Sequence, residues 1–300
     1  SLLTLVVLHP SRILVFSFMA ICVVGTIALA LPGASSSGEA IPWIDAAFTA
    51  ISATCVTGLI TLDTPNAFSA LGQAIVLALI QVGGLGIMVF SAAAVLLLGG
   101  RLSLSHERTA VEVVGAKGRA GLMSAVRSIF LVTFITEGLA AILLSVAFWM
   151  RGDPLGMAIW RGVFTSISAF CNAGFALQSD SLVPYADDPV VLGVIALTII
   201  VGGLGPAVVV AMGWRSKKQQ SLHVRLVLWT TALLIVIPAV WIGILEWNTT
   251  LGDLSVFDKL MNALFQSITL RTAGFNSIDL AAVQPATWTV MILVMFVGGS

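Results

Sequence analysis

The chain has 300 residues, and its 14 basic and 14 acidic side chains give a formal net charge of zero. Only 9% of residues are charged, against about a quarter in an ordinary soluble domain, while 58% are hydrophobic and the mean hydropathy is +1.07. This composition excludes a soluble globular domain and predicts an all-α membrane protein that crosses the bilayer several times.

Residues 13–31 form the first apolar run, close to the ~20 residues a spanning helix needs. No small-residue cleavage site follows it, so it reads as a retained span and not a signal peptide. A polar linker, Pro32-Gly-Ala-Ser-Ser-Ser-Gly38, leads to Pro42, which opens a short helix over 42–54. Such a segment rises about 18 Å, roughly half a hydrocarbon core. It must enter the membrane and return, through an irregular turn at 55–59. Backbone of this kind survives at membrane depth only when buried in protein or lining a watery cavity. The run 70–98 then completes a unit of span, half-helix, turn and span.

The same order recurs twice. A second unit, 99–213, has a span at 124–150, a half-helix at 156–170, a turn at 171–175 and a span at 189–213. A third, 214–300, has a span at 222–245, a half-helix at 256–269, a turn at 271–275 and a second span beginning near 286. The sequence stops at Ser300 inside that last span. The expectation is therefore a piece of a longer protein, with a fourth unit absent that would close a ring around one axis.

The repeated segments are Phe48-Thr-Ala-Ile-Ser-Ala-Thr-Cys-Val-Thr-Gly58-Leu59, Phe164-Thr-Ser-Ile-Ser-Ala-Phe-Cys-Asn-Ala-Gly174-Phe175 and Phe265-Gln-Ser-Ile-Thr-Leu-Arg-Thr-Ala-Gly274-Phe275. Downstream of each lies Val-Gly-Gly, at Val82-Gly83-Gly84, Val201-Gly202-Gly203 and Val297-Gly298-Gly299. A unit copied with its glycines in place suggests a shared pore.

Charge sets the orientation. Arg12, Arg101, Arg108, Lys117, Arg119, Arg127, Arg215, Lys217, Lys218 and Arg225 fall in 1–12, 99–127 and 214–225; only Arg151, Arg161, Lys259 and Arg271 fall elsewhere. The positive-inside rule makes those three segments cytoplasmic and puts the turns on the outer side. Each half-helix then aims its partially negative C-terminal end at the membrane centre, where it favours a cation. Glycine opens backbone angles closed to other residues, so carbonyls of Val56, Thr57, Gly58, Asn172, Ala173, Gly174, Thr272, Ala273 and Gly274 are the candidate ion ligands. The competing reading is that the glycines only permit close helix packing.

Other residues are less decisive. The Val-Gly-Gly stretches either let spans pack closely or break them, with Pro206 reinforcing one break and Gly298, Gly299 and Ser300 a candidate gate. Glu137, inside a span, is either functional or a packing residue. Arg271 is expected behind its turn, paired with a carboxylate or carbonyls. Asp45, Asp63 and Asp180 either concentrate cations at the mouth or are solvated surface. Cys22, Cys55 and Cys171 lack the His or carboxylate neighbours of a metal site, and His9, His106 and His223 lie at the cytoplasmic edge. No nucleophile–base constellation or nucleic-acid motif is present, and an intramembrane protease is disfavoured because no histidine lies at membrane depth.

The turns Val56-Thr57-Gly58-Leu59, Cys171-Asn172-Ala173-Gly174-Phe175 and Arg271-Thr272-Ala273-Gly274-Phe275, with Gln81-Val-Gly-Gly-Leu-Gly86, resemble the Trk/Ktr/HKT superfamily of potassium transporters. The likeness extends over essentially the whole chain and is closest to the membrane subunit of the bacterial Ktr system. It implies four units around a pseudo-fourfold pore in the cell inner membrane, with a filter of backbone carbonyls and potassium as the transported ion. It further implies a homodimer in lipid and a cytoplasmic nucleotide-binding regulatory ring on the basic face. A gating loop in the second span of the third unit is matched only at its opening, Gly298-Gly299-Ser300. Glycine at 58, where sodium-favouring relatives often carry serine, leans towards potassium. Sodium coupling is an expectation from the family, a sodium-permeable or weakly selective transporter is the alternative, and no covalent cofactor is implied.

Overall fold

The structure, a computed structural model, describes residues 10–99, 119–205, 208–209 and 222–298. The sequence-predicted gate residues Gly299 and Ser300, Pro206 and most of the three basic segments lie outside the described residues. Within them every regular element is helical, apart from an isolated antiparallel bridge between Ser35 and Phe68.

Nine helices longer than one turn are described. They are α1 (Pro10–Ala30), α2 (Trp43–Thr54), α3 (Ala70–Gly99), α4 (Arg119–Met150), α5 (Leu155–Phe170), α6 (Pro189–Leu204), α7 (Leu222–Glu246), α8 (Val256–Thr269) and α9 (Pro285–Val297). Local chemistry sets their ends. Pro42 and Pro154 precede α2 and α5, and prolines occupy the first positions of α6 and α9, where a missing N–H costs nothing. The Asp188 carboxylate caps α6 by accepting from Val190 N and Val191 N, and Ser255 caps α8 by accepting from Asp258 N.

Ala70–Val89, Val126–Met150 and Val224–Glu246 are long and apolar enough to cross a membrane; Val15–Ala30, Pro189–Leu204 and Pro285–Val297 are apolar but shorter. The expected span at 189–213 is interrupted. Its helix stops at Leu204 because Gly205 adopts φ 76°, ψ 146°, a backbone region open essentially to glycine. By contrast α3 runs unbroken through Gly83, Gly84 and Gly86.

Polarity is arranged inside out. Large apolar side chains face outward along the helices, among them Phe134, Leu139, Trp229, Ile244, Leu293 and Phe296. Buried in exchange are Glu137, Glu246, Lys259, Asn262, Gln266, Arg271 and many Ser and Thr hydroxyls. In water that exchange is unfavourable in both directions; in lipid it is the stable arrangement. Together with the apolar helices it defines a helical membrane protein.

Packing follows the chain. α1 lies on α2, α4 on α5 and α7 on α8, while α3 touches both α4 and α5, and α6 touches α8. Between the tips, Asp63 accepts from Ser179 Oγ at 2.6 Å, and Leu182 N donates to the Asn276 carbonyl at 2.8 Å. The C-terminal end of α7 is tied to α9 by Glu246, fully buried, which accepts from Thr249 Oγ1, Thr250 Oγ1, Thr287 Oγ1 and Gln284 N.

Glu246→Ala removes the shared acceptor of four donors, of which the Thr287 hydroxyl is fully buried, so it should lower stability by about 1–3 kcal/mol. Thermal unfolding in detergent should show a clearly lower midpoint for this variant. Asp187→Ala, which removes the exposed partner of Arg151, should change stability by no more than about 0.5 kcal/mol.

Candidate functional site

The three short helices α2, α5 and α8 end in turns that meet. After α2, Val56 has φ 56° and Gly58 φ 80°; after α5, Asn172 has φ 57° and Gly174 φ 72°; after α8, Thr272 has φ 72° and Gly274 φ 78°. Each turn thus takes a left-handed step at one residue and again two residues later. The first step closes the helix. Thr57 N–H donates to the Ser52 carbonyl at 2.8 Å and Val56 N–H to Ala53 at 3.2 Å; Ala173 and Asn172 repeat this onto Ser168 and Ala169 at 2.7 and 3.1 Å. This pair of hydrogen bonds satisfies two of the helix's last carbonyls. The third turn reaches its glycine with one residue fewer, and Ala273 and Gly274 share the Thr269 carbonyl.

Val56 and Thr272 are β-branched, the residue type least suited to positive φ. Holding them there costs roughly 1–2 kcal/mol each, strain that the surrounding packing sustains. No sequence signal marked this, because glycine or asparagine is the usual occupant; only Asn172 fits that pattern.

The glycines hold the turns against one another. A Cβ on Gly58 would lie 2.4 Å from the Ala173 carbonyl oxygen, and one on Gly174 would lie 2.9 Å from the Ala273 oxygen. One on Gly274 would meet Gly174 Cα at 3.3 Å. The second turn therefore sits between the first and third. Return legs are fastened behind: Ser168 Oγ donates to the Phe175 carbonyl at 2.7 Å, and Ser277 N donates to Gln266 Oε1 at 3.4 Å. Phe175 and Phe275 are buried, whereas Leu59, their counterpart, is 61% exposed.

Gly58, Gly174 and Gly274 open on one cavity of about 610 Å³. Its walls carry Asp63, Asp180 and Asp279, one carboxylate from the loop after each turn, and no basic side chain. Asp45 is not among them; it lies in the first turn of α2. Asp279, the third member, lay in a stretch without any other motif. Its carboxylate also accepts from Ala281 N at 2.9 Å.

Val-Gly-Gly has a packing role in the first two units. A Cβ on Gly83 would sit 2.0 Å from the Thr54 carbonyl oxygen, and one on Gly202 1.9 Å from that of Phe170. Each second span therefore presses its bare backbone on the last residue of its own short helix. A Cβ on Gly84 would likewise meet the next turn, 2.6 Å from Cys171 Sγ. Gly298 differs: it ends α9 at φ 75°, ψ −166°, its N–H donates to the Val294 carbonyl at 3.1 Å, and a Cβ on it would come no nearer than 3.9 Å, to Met295 O.

Arg271 departs from expectation. It is buried, but its Nε has no hydrogen-bond partner and it makes no ion pair among the described residues. The three cysteines are free thiols, with Cys55 exposed and Cys171 buried, and no group of His, Cys, Asp or Glu suited to a metal occurs among the described residues.

A helical membrane protein with three backbone turns converging under an acidic vestibule belongs to the class that handles cations. Comparison with known proteins narrows the class. Residues 3–300 match the family model described as "TrkH: Cation transport protein", and the chain belongs to that family, one of ion transporters and not of enzymes. It is 38% identical over 297 residues to the Ktr system potassium uptake protein B of Bacillus subtilis, covering 96% of this chain and 65% of that protein. It is 33% identical over 305 residues to the potassium/sodium uptake protein NtpJ of Enterococcus hirae, covering 98% and 65%. The chain thus spans about 65% of the length of these relatives. Among solved structures it resembles the potassium transporter TrkH from Vibrio parahaemolyticus, with a TM-score of 0.61, 21% identity, and coverage of 94% of this chain and 56% of that one. That likeness concerns the fold.

Gly83→Ala and Gly202→Ala should each destabilise the protein strongly, by about 2 kcal/mol or more, since the added carbon meets a fixed backbone carbonyl. Gly138→Ala and Gly193→Ala, helical positions with nothing within 4 Å, should be neutral or gain up to about 1 kcal/mol. Thermal unfolding midpoints of the four variants in detergent decide the matter.

Proposed function

We propose that this chain forms the greater part of a potassium uptake protein of the inner membrane, its selectivity filter built from backbone carbonyls of Val56, Thr57, Gly58, Asn172, Ala173, Gly174, Thr272, Ala273 and Gly274. The observation that carries this reading is the mutual contact of the three glycine turns beneath a single acidic cavity. Carbonyls held rigidly around one axis replace the water shell of a dehydrated cation. Helix C-termini pointing the same way add partial negative charge, and Asp63, Asp180 and Asp279 raise the local cation concentration above.

The three span–half-helix–span units are arranged as parts of a pseudo-fourfold ring, which a fourth unit completes in the full-length protein. The exposed Leu59 and Cys55 on the first unit are consistent with such a neighbour. The basic segments lie in the cytoplasm, a dimer and a nucleotide-binding regulatory ring complete the assembly, and Gly298-Gly299-Ser300 begins the gate. The Gly-only backbone at Gly298 supports a break at that place in the helix.

A second reading, a transporter that also carries sodium, is favoured by the relative named as a potassium/sodium uptake protein. Glycine at 58 favours potassium.

The full-length protein should restore growth of potassium-uptake-deficient cells at low potassium. Gly58→Ser and Gly174→Ser should weaken discrimination against sodium, because each side chain enters a positive-φ site against a neighbouring carbonyl. Unchanged potassium-to-sodium uptake ratios in both variants would remove the filter assignment; equal uptake of both ions by the unmodified protein would establish the second reading.

A further inference from the structure

Glu137 is a buried ionisable group that the proposed filter leaves unexplained. It lies within α4, 5% exposed, in a position where lipid and protein both make a carboxyl costly. Its Oε2 accepts from Gln81 Nε2 at 3.1 Å, across from α4 to α3 of the preceding unit. Its Oε1 has no partner, and neither does the hydroxyl of fully buried Thr133, one turn earlier on the same helix.

Gln81 uses both ends of its amide. Its Oε1 faces the Cys171 thiol at 3.9 Å, a weak S–H contact. Cys171 is the C-cap residue that follows α5 and precedes Asn172 in the second turn. It has no room to retreat, since α3 presses Gly84 against its sulfur and a Cβ there would meet Cys171 Cβ at 3.1 Å. A continuous series of polar contacts therefore runs from a buried carboxyl in one helix, through an amide in a second, to the Cys171 side chain at the start of the turn. The corresponding residue of the first turn, Cys55, is exposed, and that of the third is Arg271. Among the described residues the series serves the second turn alone.

We propose that Glu137 is a positioning residue for the second turn, fixing its cation preference through Gln81 and Cys171. The inference rests on the reading of the turns as an ion-selecting ring. A clamp that merely joined α3 to α4 would affect stability and leave preference untouched. A series ending on the turn must alter preference, because small displacements of a carbonyl change how well two ions of unequal size are held. A tenfold change in preference needs only about 1.4 kcal/mol.

The test uses the full-length protein in potassium-uptake-deficient cells, with KM measured separately for potassium and sodium. Glu137→Leu and Cys171→Ala should each raise the potassium KM relative to the sodium KM by about fivefold, and the double variant should do no more than either alone, the mark of one shared path. Glu137→Gln keeps an acceptor for Gln81 and should stay within about twofold of the unmodified protein. Cys171→Ala removes no buried charge, so it carries the test even where Glu137→Leu fails to reach the membrane. Unchanged ratios in Cys171→Ala, additive effects in the double variant, or a Glu137→Gln as impaired as Glu137→Leu would overturn the proposal. If Gly58→Ser and Gly174→Ser shift the ratio while Cys171→Ala does not, only this inference fails. If none of them shifts it, the reading of the turns fails with it.

Discussion

A helix that stops halfway across a membrane has to satisfy its own last carbonyls, because lipid supplies no donor to do so. In the proposed architecture, the hydrogen bonding at the ends of α2 and α5 meets that constraint. The chain ends α2 and α5 with left-handed residues whose N–H groups fold back on the final turn. It accepts strain at Val56 and Thr272 to achieve the turn. Serine and glutamine side chains on the short helices then pin the returning backbone. In the proposed function, the carbonyls left over at the tips are the ones that hold the cation.

The second requirement is that such turns approach one another. Side chains would hold them apart, and glycine removes that obstacle twice over. At Gly58 and Gly174 the turns touch each other, and at Gly83 and Gly202 the long spans touch the ends of the short helices. The spans act as wedges, with α3 lodged against both the first and the second turn. Their outward faces are apolar and their inward faces carry hydroxyls, amides and a few ionisable groups. The bilayer thus stabilises the same arrangement that water would undo.

Sequence composition made the helices legible, since apolar length, and Pro42 before α2, mark them without reference to tertiary contact. The glycines of the turns were equally visible, because a residue without a side chain stands out when it recurs. Three things were not. Val56 and Thr272 gave no hint of positive φ, since their propensity argues against it and only packing enforces it. Asp279 became part of the vestibule through the meeting of loops distant in sequence, which no local pattern encodes. The choice between packing and breakage for Val-Gly-Gly depended on what stood opposite each glycine, and the answer differs among the units: α3 continues, α6 stops at Gly205, and α9 stops at Gly298.

The most direct test of the account is to locate the ion. Crystals of the full-length protein grown in rubidium or thallium, both potassium substitutes with strong anomalous scattering, would show where a dehydrated cation rests. The account predicts anomalous density between the turns, level with the carbonyls of Thr57, Ala173 and Ala273 and below the cavity lined by Asp63, Asp180 and Asp279. Density confined to other parts of the molecule, with none among the three turns, would contradict it.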